Sequence, residues 1–371
     1  MQFRGVLIMV AMVAGLICVP ELHADWQRDW EEVRAAARKE GQLNLYVGRY
    51  GQAALLNEFR KEFPEIKIVS VNGSGGQLAT RIAAEARGGK MVADIYSGGP
   101  NSNYRILYRG KLLDSIKSAL ILPEITDESK WMGGKHVYND REREFIFIYV
   151  ALPSSRGLAF HEKFVNPKEF KSYWDLTLPK WKGKITSQPL TGTGLTAQLQ
   201  FYYYNPDLGP KFIRRAFGAM DVTFGDRRTI TDWLAAGKYA ICQGCRQIDK
   251  ARSQGLPVDH FDTGDWKEGQ PLSTGGGSLG LIKGGPNPNA ARVFVNWFLS
   301  RKGQTAMQGS NDLYGEHAPN SRRIDIPKDM LPAQSRLIDG RKYLDVSDPA
   351  FRDLTPIRKL AKEIMQARAA K

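Results

Sequence analysis

Cysteine is scarce in this 371-residue chain: it has only Cys18, Cys242 and Cys245, and only five histidines accompany them. No second Cys pair or close His pair is therefore available to complete a tetrahedral zinc site around Cys242 and Cys245. Acidic residues also run short, 39 Asp and Glu against 53 Lys and Arg, for a formal charge of +14. There is no internal repeat and no low-complexity tract. The rest of the composition, 42% hydrophobic and 25% charged, is that of a globular chain. At this length it suits two domains rather than one small core.

Long apolar runs are missing except at the extreme N-terminus, where Arg4 is followed by Val6 to Val19 and then by Leu22-His23-Ala24 before Asp25. That order is the pattern of an export signal, residues 1–24, removed before Asp25. The run is shorter than the roughly 20 residues of a spanning helix. Ile17 precedes Cys18 where a lipid-attachment signal calls for a small residue, so an exported, freely soluble mature chain is expected. Arg4 and Glu21 leave together, and the charge is unchanged. A balance this basic favours anionic partners: a small acid, a membrane surface or nucleic acid. Nucleic acid fits least, because the basic residues are spread along the chain, and a solvated basic surface would by itself keep an exported protein soluble.

The local pattern alternates strand, glycine-rich loop and helix. Trp26, Trp30, Val33 and Ala37 mark one face of a helix over Trp26 to Lys39, closed by Gly41. A strand at Leu43 to Val47 is followed by a helix at Ala53 to Phe63 that stops at Pro64. Then come a strand at Ile66 to Val71, the loop Gly73 to Gly76, a helix at Gln77 to Arg87 and a strand at Val92 to Tyr96. Further on, strands are expected at Phe145 to Val150, Lys184 to Ser187 and Leu279 to Ile282. Helices are expected from Gly194 to Tyr204, at Pro288 to Ser300 and over Asp353 to Ala370, the last packing on the first lobe. This is an α/β grammar, a mainly parallel sheet covered on both faces, with ligands gathering beyond the carboxyl ends of the strands.

Three passages carry a family resemblance. They are Leu43-Asn44-Leu45-Tyr46-Val47 with Gly73-Ser74-Gly75-Gly76 and Ala93-Asp94-Ile95-Tyr96; Trp174-Asp175-Leu176 with Pro179-Lys180-Trp181-Lys182-Gly183-Lys184; and Lys283-Gly284-Gly285-Pro286-Asn287-Pro288 leading to Phe298-Leu299-Ser300 and Gly303-Gln304. Together they resemble the extracellular solute-binding proteins of ABC importers, in the iron(III)-type group. The resemblance implies a two-lobed periplasmic binding protein fold (type II), joined by crossing strands near Phe145 to Leu152 and Gly276 to Lys283, with a hinge that closes over ligand. The first lobe would be residues 25–147 and 277–371, and the second residues 148–276. It further implies a monomeric receptor without catalysis or cofactor, with a membrane permease as partner and no nucleic acid. Ferric members use neighbouring tyrosines as ligands. Here the matching stretch reads Cys242-Gln243-Gly244-Cys245-Arg246, so an organic or phosphorus-containing anion is preferred to iron. Tyr202-Tyr203-Tyr204 lie late in their helix and read as packing residues.

Loops that open helices present unpaired N–H groups and a partial positive charge, and so bind anions. The candidates are Arg49, Tyr50, Ser74, Gly75, Gly76, Ser97, Gly98, Thr191, Gly192 and Thr193. Arg227 and Arg228 precede a helix at Thr231 to Ala236, and Arg49 and Arg228 are the expected grips on a carboxylate or phosphate. Tyr314 is a further candidate. Each hydroxyl could instead simply cap its helix, and each Arg could form a surface ion pair. Cys242 and Cys245 could close a disulfide or remain free; a redox motif is the sharper reading of that spacing. A secreted serine hydrolase is the alternative of another class, from Gly276-Gly277-Ser278-Leu279-Gly280 with His317 as base. A nucleophile elbow needs a helix after the Ser, where a strand is expected here. Two dinucleotide-like glycine patterns fail similarly: the one at Gly275, Gly277 and Gly280 lacks the helix, and the one at Gly192, Gly194 and Ala197 lacks the later acidic residue.

Overall fold

The computed structural model describes residues 25–153, 157–191, 195–222, 227–310, 319–331 and 335–370; the expected export signal lies outside them. The first helix, α1 (Asp25–Glu40), buries Val33 and Ala37, and Trp30 stands edge-on to Phe63. Gly41 ends it with a φ of +66°, its amide bonded to Ala37 O at 2.9 Å. Strand β1 (Gln42–Val47), α2 (Ala53–Glu62), β2 (Lys67–Asn72), α3 (Gly75–Arg87) and β3 (Ile95–Gly98) follow. Both β2 and β3 pair in parallel with β1. β1 is covered on both faces: Leu43, Leu45 and Val47 enter one apolar cluster and Tyr46 another. That is why it reads as a nearly continuous apolar run.

The third strand starts later than its sequence suggests. The amides of Val92 and Ala93 bond the Glu85 carboxylate, at 3.1 and 3.3 Å, instead of the ladder. After a short α4 (Pro100–Ser102) and a π-helical stretch (Asn103–Tyr108) come β4 (Leu113–Asp114), α5 (Pro123–Thr126), β5 (Val137–Tyr138) and β6 (Phe147–Ile148). The run from Phe145 to Val150 is not one strand, because the chain changes partner as it leaves the sheet. Ile148 faces Ser278, Val150 bridges to Ser321, and Leu152 in β7 (Leu152–Pro153) faces Ser273.

A second α/β unit holds β8 (Leu158–His161), β9 (Ile185–Ser187), α6 (Thr196–Tyr204), α7 (Gly209–Ala219), β10 (Asp221–Val222), α8 (Arg227–Ala235), β11 (Ile241–Gln243), α9 (Ile248–Ser253) and β12 (Val258–His260). Its sheet order is β10-β9-β11-β8-β12. Neighbouring residues of β11 again point into different clusters, Ile241 with the aromatics of α6 and α7 and Cys242 with Ile230, Leu234 and Ile248. The chain returns through β13 (Gln270–Ser273) to β14 (Ser278–Ile282), which inserts antiparallel between β3 and β6. Helices α10 (Pro288–Leu299) and α11 (Arg301–Gly309) then complete the first core, with Phe59 ringed by Phe294 and Trp297.

The tail departs from expectation. Helix α12 (Thr355–Ala369) packs on the second unit, not the first: Ile357, Leu360, Ala361 and Ile364 bury with Phe212, Phe217 and Tyr202. The stripe is the same one that marks the segment as amphipathic, and its partner is the aromatic surface of α6 and α7. Arg368 Nη1 seals the end by donating to Phe217 O at 2.8 Å.

The chain therefore crosses between units a third time. Residues 320–323 lie against the first crossing, with Ala151 N bonded to Asn320 O and Arg322 N to Tyr149 O, both 2.9 Å. Strand β15 (Tyr343–Asp345) then pairs in parallel with β13, giving the three crossings one small sheet, β15-β13-β7. Arg322 is 2% exposed and donates to Val150 O (3.2 Å), to Asp345 Oδ2 and to Ser347 Oγ (3.2 Å), so it pins the first crossing to the third. Lys328 adds a second clasp. Its amine donates to Gln308 Oε1, Asn320 Oδ1 and Ser321 O, and burial pulls its pKa down to about 8. Replacing Arg322 by Met, which keeps the volume but strands Asp345 and Val150 O, is expected to cost about 2–4 kcal/mol, read as a lower urea midpoint.

Candidate functional site

The two sheets turn their strand ends toward the crossings. On the first, the carboxyl ends of β1, β2, β3 and β6 and the amino end of β14 share one edge, fixed by the registers Val47↔Asn72, Val47↔Ser97, Ser278↔Gly98 and Ser278↔Ile148. On the second, the ends of β9, β10 and β11 and the start of β8 share an edge, fixed by Val222↔Ser187, Gln243↔Ser187 and Gln243↔Leu158. Crossings β7 and β13 leave from these edges.

Three loops of the first edge meet at Gly48. A Cβ there would stand 3.6 Å from Gly98 Cα and from Ser97 O, and 3.7 Å from Gly73 O. Tyr96 runs beneath them and donates to Gly75 O at 3.1 Å. A Cβ on Gly75 would lie 2.7 Å from its hydroxyl, and one on Gly98 2.5 Å, so both positions require glycine for close approach. Arg49, half-buried, lies along the second crossing, with its Cδ 3.1 Å from where a Cβ of Gly276 would be.

Other expected contacts are engaged in holding the wall together. Tyr50 is 2% exposed, donates to Gly275 O at 3.1 Å and meets Tyr149 edge-on, so it belongs to the crossing rather than the open cleft. Ser97 Oγ is 2.9 Å from Tyr149 OH. Ser74 caps α3 in a reciprocal box with Gln77. Gly76 opens the same helix. Gly98 O accepts from Ser278 Oγ at 2.7 Å. That Ser278 is fully buried, also accepts from Asn103 Nδ2 and begins a strand, so it is no nucleophile elbow; His317 lies outside the described residues.

On the second edge Gln188 N bonds Gln243 O at 3.1 Å and Gly244 N bonds Gly157 O. Gly244, at φ +93°, lies against Gln188 and Leu195. Thr191 and Arg228 are exposed here, Arg228 in the first turn of α8. Gly192, Thr193 and Tyr314 lie outside the described residues. Gln188, Gln243 and Arg246, not among the expected contacts, also lie on this edge, and each follows or ends a strand as Arg49 does.

The tyrosine triplet is structural. Tyr202 is buried, donates to Gln243 Oε1 at 2.8 Å, and is driven well above its ordinary pKa by desolvation. Tyr204 donates to Asp353 O at 2.6 Å and packs its ring, tilted, against Phe351, tying α6 to the tail. Burial likewise pushes Tyr96, Tyr149 and Tyr173 upward, away from the phenolate.

A separate cavity of about 440 Å³, lined by Asp94, Asp114, Ser118, Ile282, Pro288 and Arg292, opens at the opposite edge of the first sheet. Asp94 there accepts from the Asn44 and Asn287 amides, and burial raises its pKa. It lies away from the crossings.

Residues 46–305 match the family model of bacterial extracellular solute-binding proteins. The fold is similar to that of IdiA (FutA) from Trichodesmium in complex with iron and citrate, at 19% identity over 87% of this chain and 99% of that one, with a TM-score of 0.64. Iron-bound HitA from Pseudomonas aeruginosa gives 19%, 87%, 99% and 0.59. AfuA from Actinobacillus pleuropneumoniae with fructose-6-phosphate gives 19%, 88%, 98% and 0.52. The loop packing under Gly75 is checked by a double-mutant cycle. Gly75→Ala should lower stability by about 1–3 kcal/mol, and combination with Tyr96→Phe, which removes the opposing hydroxyl, should recover part of that loss.

Proposed function

The chain belongs to the bacterial extracellular solute-binding proteins, the periplasmic binding components of ABC importers, and from that premise we propose that it captures a small organic or phosphorylated anion between its lobes. One lobe would be built on the core that joins β1, α2, α10 and α11, and the other on the core that joins β8, α6, α7 and α12. The observation that carries the reading is the pairing of two strand-end edges across the crossings, one bearing Arg49 and the other Arg228. A guanidinium can grip a carboxylate or phosphate through two parallel bonds, and a lobe on each side lets one anion satisfy both. The helix-opening loop at Ser74–Gly76 adds backbone donors of the same sign preference. The excess of basic residues steers an anion toward the protein.

In a two-lobed receptor, a ligand that touches both lobes binds the closed form better and shifts the population toward it. The permease would read that closed form. Tyr202 and Tyr173 lie in the second core and Tyr202 is bonded to Gln243, so neither is offered to the cleft as a ferric ligand. AfuA with its sugar phosphate and IdiA with iron and citrate define the panel to try.

Thermal-shift and calorimetric titration with citrate, fructose 6-phosphate, phosphonates and ferric iron with and without citrate tests this. A rise in melting temperature with an organic or phosphorylated anion is expected. Arg49→Ala and Arg228→Ala should each weaken that ligand about tenfold or more while leaving the unliganded melting temperature within a few degrees. Unchanged affinity in both variants removes the site assignment. A response to iron alone, with a visible phenolate absorption band, replaces the anion by the metal.

A further inference from the structure

Cys242 and Cys245 form a disulfide, with Cα atoms 6.0 Å apart, at the cleft end of β11. Both are buried among Ile230, Leu234 and Ile248, so the bridge is anchored in the core beneath α8 and α9 rather than offered to solvent. Between β11 and α9 the chain must reverse, and it does so with Gly244 at φ +93° and Gln247 at φ +57°. The second of these is a left-handed residue with a side chain, a conformation that persists only where its surroundings enforce it. Between the two lies Arg246, which is exposed while its neighbour Cys245 points inward.

The Arg246 peptide is held from both sides by one hydroxyl. Thr231 Oγ1 donates to Arg246 O at 2.8 Å and accepts from Arg246 N at 3.1 Å. Thr231 lies in α8, one helical turn after Arg228, and is itself buried. The turn is thus fastened at one end by a covalent bridge and at the other by a two-way hydrogen bond to the helix that presents Arg228.

We propose that the Cys242–Cys245 disulfide and the Thr231 hydroxyl are one positioning device, which locks the Gly244–Arg246 turn onto α8 so that Arg246 and Arg228 meet a bound anion as a fixed pair. This rests on the anion-binding cleft proposed above. Preorganisation is the physical advantage: two long cationic side chains rooted in a rigid frame lose less freedom on binding than two on independent loops. Neither cysteine touches ligand. Their contribution passes through the turn.

The test compares the oxidised protein with the same protein reduced under native conditions, and with Thr231→Val, Thr231→Ser and Cys242→Ala/Cys245→Ala variants. Hydrogen exchange reads the frame without any ligand. Reduction should speed exchange both at residues 243–248 and in the first turns of α8, with the first lobe unchanged; loosening confined to the turn, or none, overturns the coupling. Titration with fructose 6-phosphate and citrate reads the consequence. Reduction and Thr231→Val should each weaken the bound probe about fivefold or more, and reducing the Thr231→Val protein should add little further, because both act on one element. Thr231→Ser, which keeps the hydroxyl, should bind as the parent does. Additive losses, or equal affinity in oxidised and reduced protein, overturn the proposal. If oxidised protein binds neither probe, the anion reading fails, and exchange alone decides whether turn and helix are coupled.

Discussion

A segment that passes from one core to another must satisfy its backbone N–H and C=O groups in a place where neither core surrounds it. Here the crossings satisfy one another. β7 and β13 pair antiparallel, β15 adds to β13 in parallel, and the residues just before them are bridged by Asn320, Ser321 and Arg322. The buried Arg322 joins Val150 of the first crossing to Asp345 and Ser347 of the third, so one guanidinium sets the relation between segments nearly two hundred residues apart. Lobe orientation, and with it the distance between the two strand-end edges, depends on this small sheet. A hinge made of three pinned strands admits rotation about its axis while opposing shear, which is the motion that opens and closes a cleft.

The third crossing also explains the tail. Once β15 has delivered the chain to the second lobe, the apolar stripe of α12 finds the aromatic face of α6 and α7, and Tyr204 and Gln200 bond the backbone that leads into it. The tyrosines that read as packing residues in sequence are the mortar of this contact. Burial of Tyr202 both fills the core and raises its pKa, so structural and electrostatic requirements point the same way there.

Within the cleft edges, glycine and hydroxyl residues divide the labour in a way their residue types alone do not reveal. Gly75 and Gly98 make room for Tyr96, and Ser74, Ser97 and Tyr50 are engaged in capping and wall contacts. The cationic side chains of these edges are Arg49 on the first, half-buried, and Arg228 and Arg246 on the second, both exposed. The walls are thus rigid and largely self-satisfied, with the charge carried by side chains rooted in them.

Most of the elements were legible in the residues themselves. The period of Trp26, Trp30, Val33 and Ala37, the stop at Gly41, the twice-covered apolar run of β1 and the stripe of α12 follow from local geometry and burial, which act over a few residues and leave a pattern in sequence. The α/β grammar was legible for the same reason, whereas the two-lobed arrangement came from the family resemblance of longer passages. Partner choice was not. Whether Phe145 to Val150 is one strand or three successive pairings, whether α12 covers the first lobe or the second, and whether Ser97 or Tyr50 faces ligand or a neighbouring loop depend on contacts between residues far apart in the chain. An amphipathic stripe states that a face must be buried but not against what, and only the packed structure supplies the complementary surface.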